Sequence, residues 1–379
     1  MQLLIAGDFA PQYRVKAQVD KGIYDCLSAI KHEVDKSDYS IVNFESPIVS
    51  QSAYPIDKTG PNLCCTKNAM ECISNAGFKC VTLANNHFRD YGQKGVEDTL
   101  NECKRLGIDY VGGGVNITEA QTILYKDING ERLAILNFCE NEWSIATEEY
   151  GGSAPLIPIR NHYAILEAKK HAAYVLVIIH GGIEGYAFPT PRMVDTYRFF
   201  IDSGADAVIN HHQHCYSGME LYKGKPIFYG IGNFCFDRKN KKNCNWNEGF
   251  MVSLNFSEVK IDYKVIPYTQ CNEKPEVILM EGEQAEDFFI SLEALNNTIS
   301  NPHALKKKID DKVDKMYEKR LLTLEPLNNR IVKALQKRHL FPYLIRHEQR
   351  KSLLSRLRCE THRELLIAIL EKYLRNLER

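Results

Sequence analysis

The sequence predicts an α/β sandwich followed by an all-helical C-terminal region, and three observations carry that expectation. Over roughly the first 270 residues, short apolar runs alternate with amphipathic stretches. Several runs are Val/Ile/Leu-rich throughout, as strands covered on both faces require. From about Glu281 the strand signals stop, and Leu/Lys/Arg/Glu segments at helical spacing take over.

The expected strands are Gln2–Ala6, Tyr39–Phe44, Cys80–Ala84, Tyr110–Val111, Leu133–Asn137, Val175–Ile179 and Ala207–Ile209. Helices are expected over Ile23–Val34, Lys67–Ala76, Lys94–Leu106 (stopped by Gly107) and Arg192–Ser203 (stopped by Gly204). Thr122–Tyr125 with Arg132–Ile135 reads as a hairpin around Asn129-Gly130, and Met219–Tyr222 with Pro226–Phe228 as another. Met251–Phe256 and Lys260–Ile266 read as a final strand pair. This mixture calls for two sheets in a layered sandwich.

The C-terminal segments are Ala304–Leu324, Asn328–His339 and Ser352–Leu377, punctuated by Pro326 and Pro342. The stripe Leu365, Leu366, Ile369, Leu370, Tyr373, Leu374, Leu377 reads as a packing face rather than a cofactor box. At 379 residues the chain exceeds one ordinary core. The expected division is residues 1–275 as the α/β domain and 281–379 as a helical basic region.

Net charge is zero, yet residues 301–379 hold 20 Lys+Arg against 10 Asp+Glu. The remainder carries 28 basic and 38 acidic residues. The basic helices therefore dock on their own acidic domain, bind a protein partner, or mediate oligomerisation. No stretch approaches the ~18 apolar residues of a membrane span. The opening Met-Gln-Leu-Leu-Ile-Ala run falls short of a signal-peptide core, so a cytoplasmic location is expected. The twelve cysteines form no C-x-x-C pair and scatter through apolar segments, which reads as reduced, mostly buried thiols.

The chemistry lies at the strand ends. Successive strands run into Gly7-Asp8, Asn43-Phe44-Glu45, Asn85-Asn86-His87, His180-Gly181-Gly182 and His211-His212-Gln213-His214. Ligands of open α/β sheets bind beyond the carboxyl ends of the strands, so five segments are expected to converge on one pocket. Asp, Glu, Asn and His without thiolate suit zinc, manganese or iron. Two such ions ~3.5–4 Å apart clamp a phosphoryl group and activate water. Glu45 and Asp8 offer the carboxylates, and His180, His212 and His214 the imidazoles. His87 is the candidate proton donor. Taken singly, Asp8 reads as readily as a turn cap, and Asn85-Asn86-His87 as loop chemistry. Three histidines in four residues after a buried strand are harder to assign to packing.

Seven segments also fall in one order: Ala6-Gly7-Asp8; Val42-Asn43-Phe44-Glu45-Ser46-Pro47; Leu83-Ala84-Asn85-Asn86-His87 with Asp90-Tyr91-Gly92; residues 112–116; His180-Gly181-Gly182-Ile183-Glu184; Gly204-Ala205-Asp206 leading to His212-Gln213-His214; and Tyr229-Gly230-Ile231-Gly232-Asn233-Phe234. Over roughly residues 1–270 this order resembles the CapA-like, poly-γ-glutamate capsule biosynthesis family, a branch of the calcineurin-like metallophosphatases. The resemblance implies a four-layer α/β/β/α metallophosphatase-like sandwich and two divalent metal ions. It implies metal roles for Asp8, Glu45, Asn86, His180, His212 and His214, and catalytic roles for His87 and Glu184. Asn43, Asn85, His211 and Asn233 are expected to bind substrate.

Departures from the pattern are specific. Ala10 stands where the superfamily carries a histidine two residues after the aspartate. Gly181 stands where the family often has an aromatic, Gly185 separates Glu184 from Tyr186, and His211 replaces a usually small residue. Three functions follow as expectations. The first is a metal-dependent hydrolase of a small-molecule or polymer substrate, acting on a phosphoester or on an amide such as that of poly-γ-glutamate. The second is a non-catalytic assembly factor of capsule polymer synthesis that keeps the fold. The third is a nuclease whose basic helices grip phosphates.

Overall fold

The computed structural model describes all residues except 51–52, 258–259, 322–334, 336–339, 341–345 and 378–379. Its first sheet takes the order β16-β15-β14-β1-β2-β3-β4 among the described residues. Here β1 is Gln2–Phe9, β2 Tyr39–Phe44, β3 Cys80–Thr82 and β4 Asp109–Val111. These four run parallel. The antiparallel flank is β14 (Glu248–Phe256), β15 (Ile261–Gln270) and β16 (Val277–Leu279). A short strand β13 (Asn233–Cys235) lies parallel to the end of β1, pairing Asp8 with Asn233.

The second sheet takes the order β11-β12-β10-β9-β7-β6. Its parallel centre is β7 (Glu131–Cys139), β9 (Tyr174–His180), β10 (Ala207–His211) and β12 (Lys225–Phe228). Its edges β6 (Leu124–Ile128) and β11 (Met219–Tyr222) are the antiparallel arms of the two expected hairpins. A two-stranded pair, β5 (Gly113–Gly114) with β8 (Gly152–Ser153), is too short for a periodic signal.

Side-chain alternation builds the layers. Leu3 and Ile5 of β1 face an inner core shared with Ile135 of β7, Ile178 of β9 and Ile209 of β10. Leu4 and Ala6 face outward, toward Val15 of α1 (Tyr13–Val19), Ile73 of α3 (Asn68–Asn75) and Leu100 of α4 (Gly92–Leu106). Across the other sheet, Val175, Val177 and Ile179 of β9 pack against Ile165 of α6 (Pro158–His171) and Tyr197 of α7 (Pro191–Asp202). The result is the α/β/β/α sandwich. Two shorter helices, α2 (Lys31–Asp35) and α5 (Ile117–Ala120), lie in the connections.

Several local expectations change. The single helix over Ile23–Val34 is a 3₁₀ turn, Asp25–Ile30, followed by α2. Ile30, at φ −100° and ψ −4°, interrupts a continuous α register. Helix α6 went unread because its hydrophobic stripe is narrow: Ile165 and Ala168 are its buried apolar positions, beside a buried Asn161.

The C-terminal region is helical where it is described. Helix α8 (Gly282–Ser300) lays Phe288 and Leu292 on the inner core, and α9 (Pro302–Leu321) follows. The expected helix Asn328–His339 falls almost wholly outside the described residues. The expected helix Ser352–Leu377 is two, His347–Arg358 and Glu360–Leu377. Extended backbone at Cys359 (φ −70°, ψ 123°) divides them. The stripe does pack: Leu365 and Ile369 join Val313 of α9 and Ile183 of the loop after β9. Asp57 of the α/β domain pairs with Lys351 and His347, so part of the charge split is met within the chain. No helix of the described residues is long and apolar enough to cross a membrane. All twelve cysteines are free thiols, ten of them buried.

Candidate metal centre

The carboxyl ends of β1, β2 and β3 meet those of β7, β9 and β10, and each delivers polar side chains to one buried cluster. Asp8 lies near the end of β1, where Gly7 has no room for a side chain. A Cβ there would sit 2.0 Å from the Gly232 carbonyl oxygen. Glu45 follows β2, and Asn86 and His87 follow β3. His180 and His211 close β9 and β10, and His212 and His214 follow directly. All eight are buried. His212 and His214 hold left-handed backbone, at φ 88° and φ 55°. Non-glycine residues hold such conformations at a cost, and surrounding structure must enforce them.

Two donor sets share Glu45. One ligand atom each from Glu45, His180 and His212 lies within 4.8 Å of the others, and the same holds for Asp8, Glu45 and His214. In the first set, His180 Nε2 is 3.0 Å from His212 Nδ1, 3.1 Å from Asn86 Oδ1 and 3.6 Å from Glu45 Oε1. In the second, His214 Nε2 is 3.7 Å from Glu45 Oε1, while Asp8 Oδ2 is 3.5 Å from His214 Nδ1. His211 Nδ1 adds a contact of 3.1 Å to Asp8 Oδ1, but neither of its ring nitrogens makes a well-directed hydrogen bond among the described residues.

The electrostatics fit cations. Glu45 is fully buried, and neither carboxylate oxygen has a hydrogen-bond partner among the described residues. Burial first, and the Asp8 charge second, push its carboxyl well above the usual range. Burial likewise would raise Asp8, but the imidazoles of His211 and His214 outweigh it and hold that carboxyl well below its ordinary value. Burial and neighbouring His212 keep His180 neutral, its pKa well below the ordinary one. An orphaned buried carboxylate ringed by converging imidazole and amide donors is costly for a dry polar core. Such a donor set suits divalent cations.

His87 stands apart from these sets. Its Nδ1 is 2.6 Å from Asp90 Oδ2, and Lys58 Nζ pairs with Asp90 while lying 3.3 Å from the same ring nitrogen. The remaining nitrogen, Nε2, is left for the pocket. Burial lowers the His87 pKa, with Asp90 acting against it and Lys58 with it.

A cavity of about 300 Å³ opens over the cluster, lined by His87, Glu184 and His214 and walled by Leu63, Phe236 and Trp246. Glu184 is an exposed residue at this mouth. Desolvation acts upward on its carboxyl, yet His212, His214 and His87 draw it below its ordinary range.

Three amides expected to meet substrate make hydrogen bonds within the protein. Asn43 Nδ2 donates to Asp8 Oδ1 at 2.7 Å, and Asn85 Nδ2 to the Phe44 carbonyl at 2.9 Å. Asn233 donates to the His214 and Trp246 carbonyls, and its Oδ1 meets His214 Nδ1 at 2.9 Å. These bonds reach Asp8, the β2 end and the His214 ring.

Sequence reasoning missed Lys58, Glu140 and Glu142, and it named Asp90 within a matching segment without giving it a role. Of the missed residues, Glu140 and Glu142 follow β7, so the strand-end rule applied to that strand finds them. Glu140 also explains Gly181: a Cβ there would sit 2.6 Å from Glu140 Cγ, so no aromatic fits at that position.

Residues 2–238 match the family model described as "Bacterial capsule synthesis protein PGA_cap". The capsule biosynthesis protein CapA of Bacillus anthracis is 33% identical over 247 residues, 63% of this chain and 60% of that protein. The PGA biosynthesis protein CapA of Bacillus subtilis (strain 168) is 34% identical over 230 residues, 60% of each. The chain thus spans about 60% of the length of these curated relatives. Among solved structures, a 5'-nucleotidase precursor from Thermus thermophilus aligns with TM-score 0.45 at 12% identity, covering 83% of this chain and 59% of that one.

Proposed function

Because the chain belongs to the PGA_cap family of bacterial capsule synthesis proteins, we propose that its strand-end cluster is the dinuclear metal centre of a hydrolase serving capsule or poly-γ-glutamate synthesis. The observation that carries this reading is Glu45, a fully buried carboxylate without a hydrogen-bond donor among the described residues, shared by two donor sets.

Glu45, Asn86, His180 and His212 would hold one ion, and Asp8, Glu45 and His214, with His211 beside Asp8, the other. Bound there, such a pair supplies Lewis acidity at the scissile phosphoryl or carbonyl oxygen and lowers the pKa of water. The chain's own residues do the rest. Asn43 orients Asp8, and Asn233 fixes the His214 tautomer with Nε2 turned to the centre. His87, held by Asp90, offers Nε2 for proton transfer to the leaving group. Glu184 sits at the mouth, where its charge orients the histidines or receives a proton from the attacking water. Arg238 lines the same cavity and, with Lys241, stacks on Trp246, which suits an anionic substrate. Residues 1–275 would form this metal-dependent domain, with 281–379 as its helical region.

Elemental analysis of the purified protein, combined with a panel of phosphomonoesters, phosphodiesters and γ-glutamyl amides, tests the reading. Close to two equivalents of transition metal and turnover of one class are expected. Metal near zero sinks it.

One observation favours a non-catalytic assembly role. Ala10 is buried against Leu63, Phe236 and Trp246, so the second donor set lacks the superfamily's histidine. Metal bound without turnover across the panel would select that role.

A further inference from the structure

The C-terminal helix brings a separate donor set beside this centre. Cys359 caps the helix Glu360–Leu377: its carbonyl accepts the Arg363 N–H at 2.9 Å, and its thiol is fully buried. His362 follows in the first turn. Glu142 stands on the loop after β7, its side chain only 12% exposed. One ligand atom from each of Glu142, Cys359 and His362 lies within 4.8 Å of the others. Glu142 Oε1 is also 4.0 Å from His212 Nε2, so this set abuts the centre without sharing its ligands.

The surroundings are not those of a packing thiol. A structural buried cysteine sits among apolar side chains. Cys359 instead has the carboxylates of Glu140, Glu142 and Glu360 as its charged neighbours, and its thiol contacts Glu140 Oε2 at 3.5 Å. Glu140 is already met by Arg192 and Thr361. The Glu142 carboxylate has no such counterpart beyond imidazole among the described residues. Burial first, then the Glu140 and Glu142 carboxylates, push the Cys359 thiol well above its ordinary range, with the backbone N–H of His362 acting against them, so without a cation the sulfur keeps its proton. Thiolate, imidazole and carboxylate together form a zinc-type donor set, which leaves a fourth position for solvent.

We propose that Glu142, Cys359 and His362 form a further, thiolate-containing divalent-cation site that is complete only when the C-terminal helix is docked. On binding, the Cys359 thiol loses its proton to solvent, and the S–metal bond replaces the S–H bond. The ion then fastens the helical region beside the cavity mouth, through residues of the α/β domain and of the C-terminal helix. The site stands whether or not the neighbouring centre is hydrolytic.

Cobalt loading of the full chain tests this, because only a thiolate ligand gives a near-ultraviolet sulfur-to-cobalt charge-transfer band. The residues of the neighbouring centre include no thiol. The wild-type protein is expected to show the band, Cys359→Ser to lose it, and His214→Ala, which disturbs only the neighbouring centre, to keep it. His362→Gln, at a half-buried position that the core does not depend on, should weaken or abolish the band with an unchanged circular dichroism spectrum. A loaded wild-type protein without the band, or a band that survives in Cys359→Ser, overturns the proposal.

Discussion

His180 Nε2 and His212 Nδ1 lie 3.0 Å apart in the buried cluster, two ring nitrogens aimed at one point. Burial and the mutual repulsion of the rings hold His180 neutral, so without a cation one N–H···N hydrogen bond joins the pair. A cation in the proposed centre would displace that proton and draw on both lone pairs. His180→Ala and His212→Ala should therefore each lower bound metal, and lower turnover at least about 100-fold, with the fold retained. Metal content and kcat/KM measured side by side check this. Full metal with full activity in His212→Ala would refute the assignment.

Glu45 gives the centre a pH dependence whose sign follows from its burial. Its folded pKa is raised above the ordinary carboxyl value of 4.5, by desolvation first and Asp8 second. The folded, metal-free chain thus keeps a proton that the unfolded chain releases. Stability of the metal-free protein accordingly falls as pH rises from the ordinary value through the raised one. Metal binding expels the same proton, so affinity rises with pH across that window. Glu45→Gln removes the titrating group. The metal-free variant should lose this slope, gain about 1–3 kcal/mol over the metal-free wild type once Glu45 ionises, and bind less metal. Urea titrations from about pH 5 to about pH 8 give the slope.

The site was legible in the sequence where strand ends supplied it. Asp8, Glu45, Asn86, His180, His212 and His214 each follow or end an apolar run, and the parallel order of β1 to β3 and of β7, β9 and β10 brings such ends together. What stayed hidden depends on docking rather than periodicity. Lys58 and Asp90 meet through a loop with no regular structure, and Cys359 reaches Glu140 from 219 positions away. The amide of Asn85 was legible as a polar strand-end residue, and that of Asn233 through the family resemblance. Which way they face is set by nearby carbonyls that no spacing reveals.

The Lys58–Asp90–His87 arrangement makes two separable effects. The Lys58 side chain is 3% exposed, and its ammonium pairs with the buried Asp90 carboxylate. Asp90→Asn leaves that ammonium without its partner and should cost about 3–5 kcal/mol in stability. Adding Lys58→Met should recover much of the loss, which a denaturation midpoint reads directly. His87→Asn spares both charges. It should lower kcat about 10²–10⁴-fold on substrates with poor leaving groups, while metal content stays at the wild-type level. Equal losses on good and poor leaving groups would remove His87 from proton transfer.

Arg192 joins the α/β domain to the C-terminal helix through the Glu140 carboxylate, which also holds the turn after β9. Glu140 accepts the Gly182 N–H at 3.2 Å beneath the His180-Gly181-Gly182 turn, and it takes hydrogen bonds from Arg192 and Thr361. Arg192 also pairs with Glu364. Burial would raise the Glu140 carboxyl, but Arg192 and then Thr361 hold it below its ordinary value. Arg192→Met strips a buried charge of its partner and should cost about 3–5 kcal/mol. It should also release Thr361 and Glu364, so trypsin cleaves the helices after Arg346 sooner than in the wild type. Arg192→Met combined with Glu140→Gln removes both charges and should restore most of the stability. Protection of the helices should return less fully, because the Glu364 pair is still missing. If the single variant digests at the wild-type rate, the helix is held by its apolar face on Ile183 and Val313 instead.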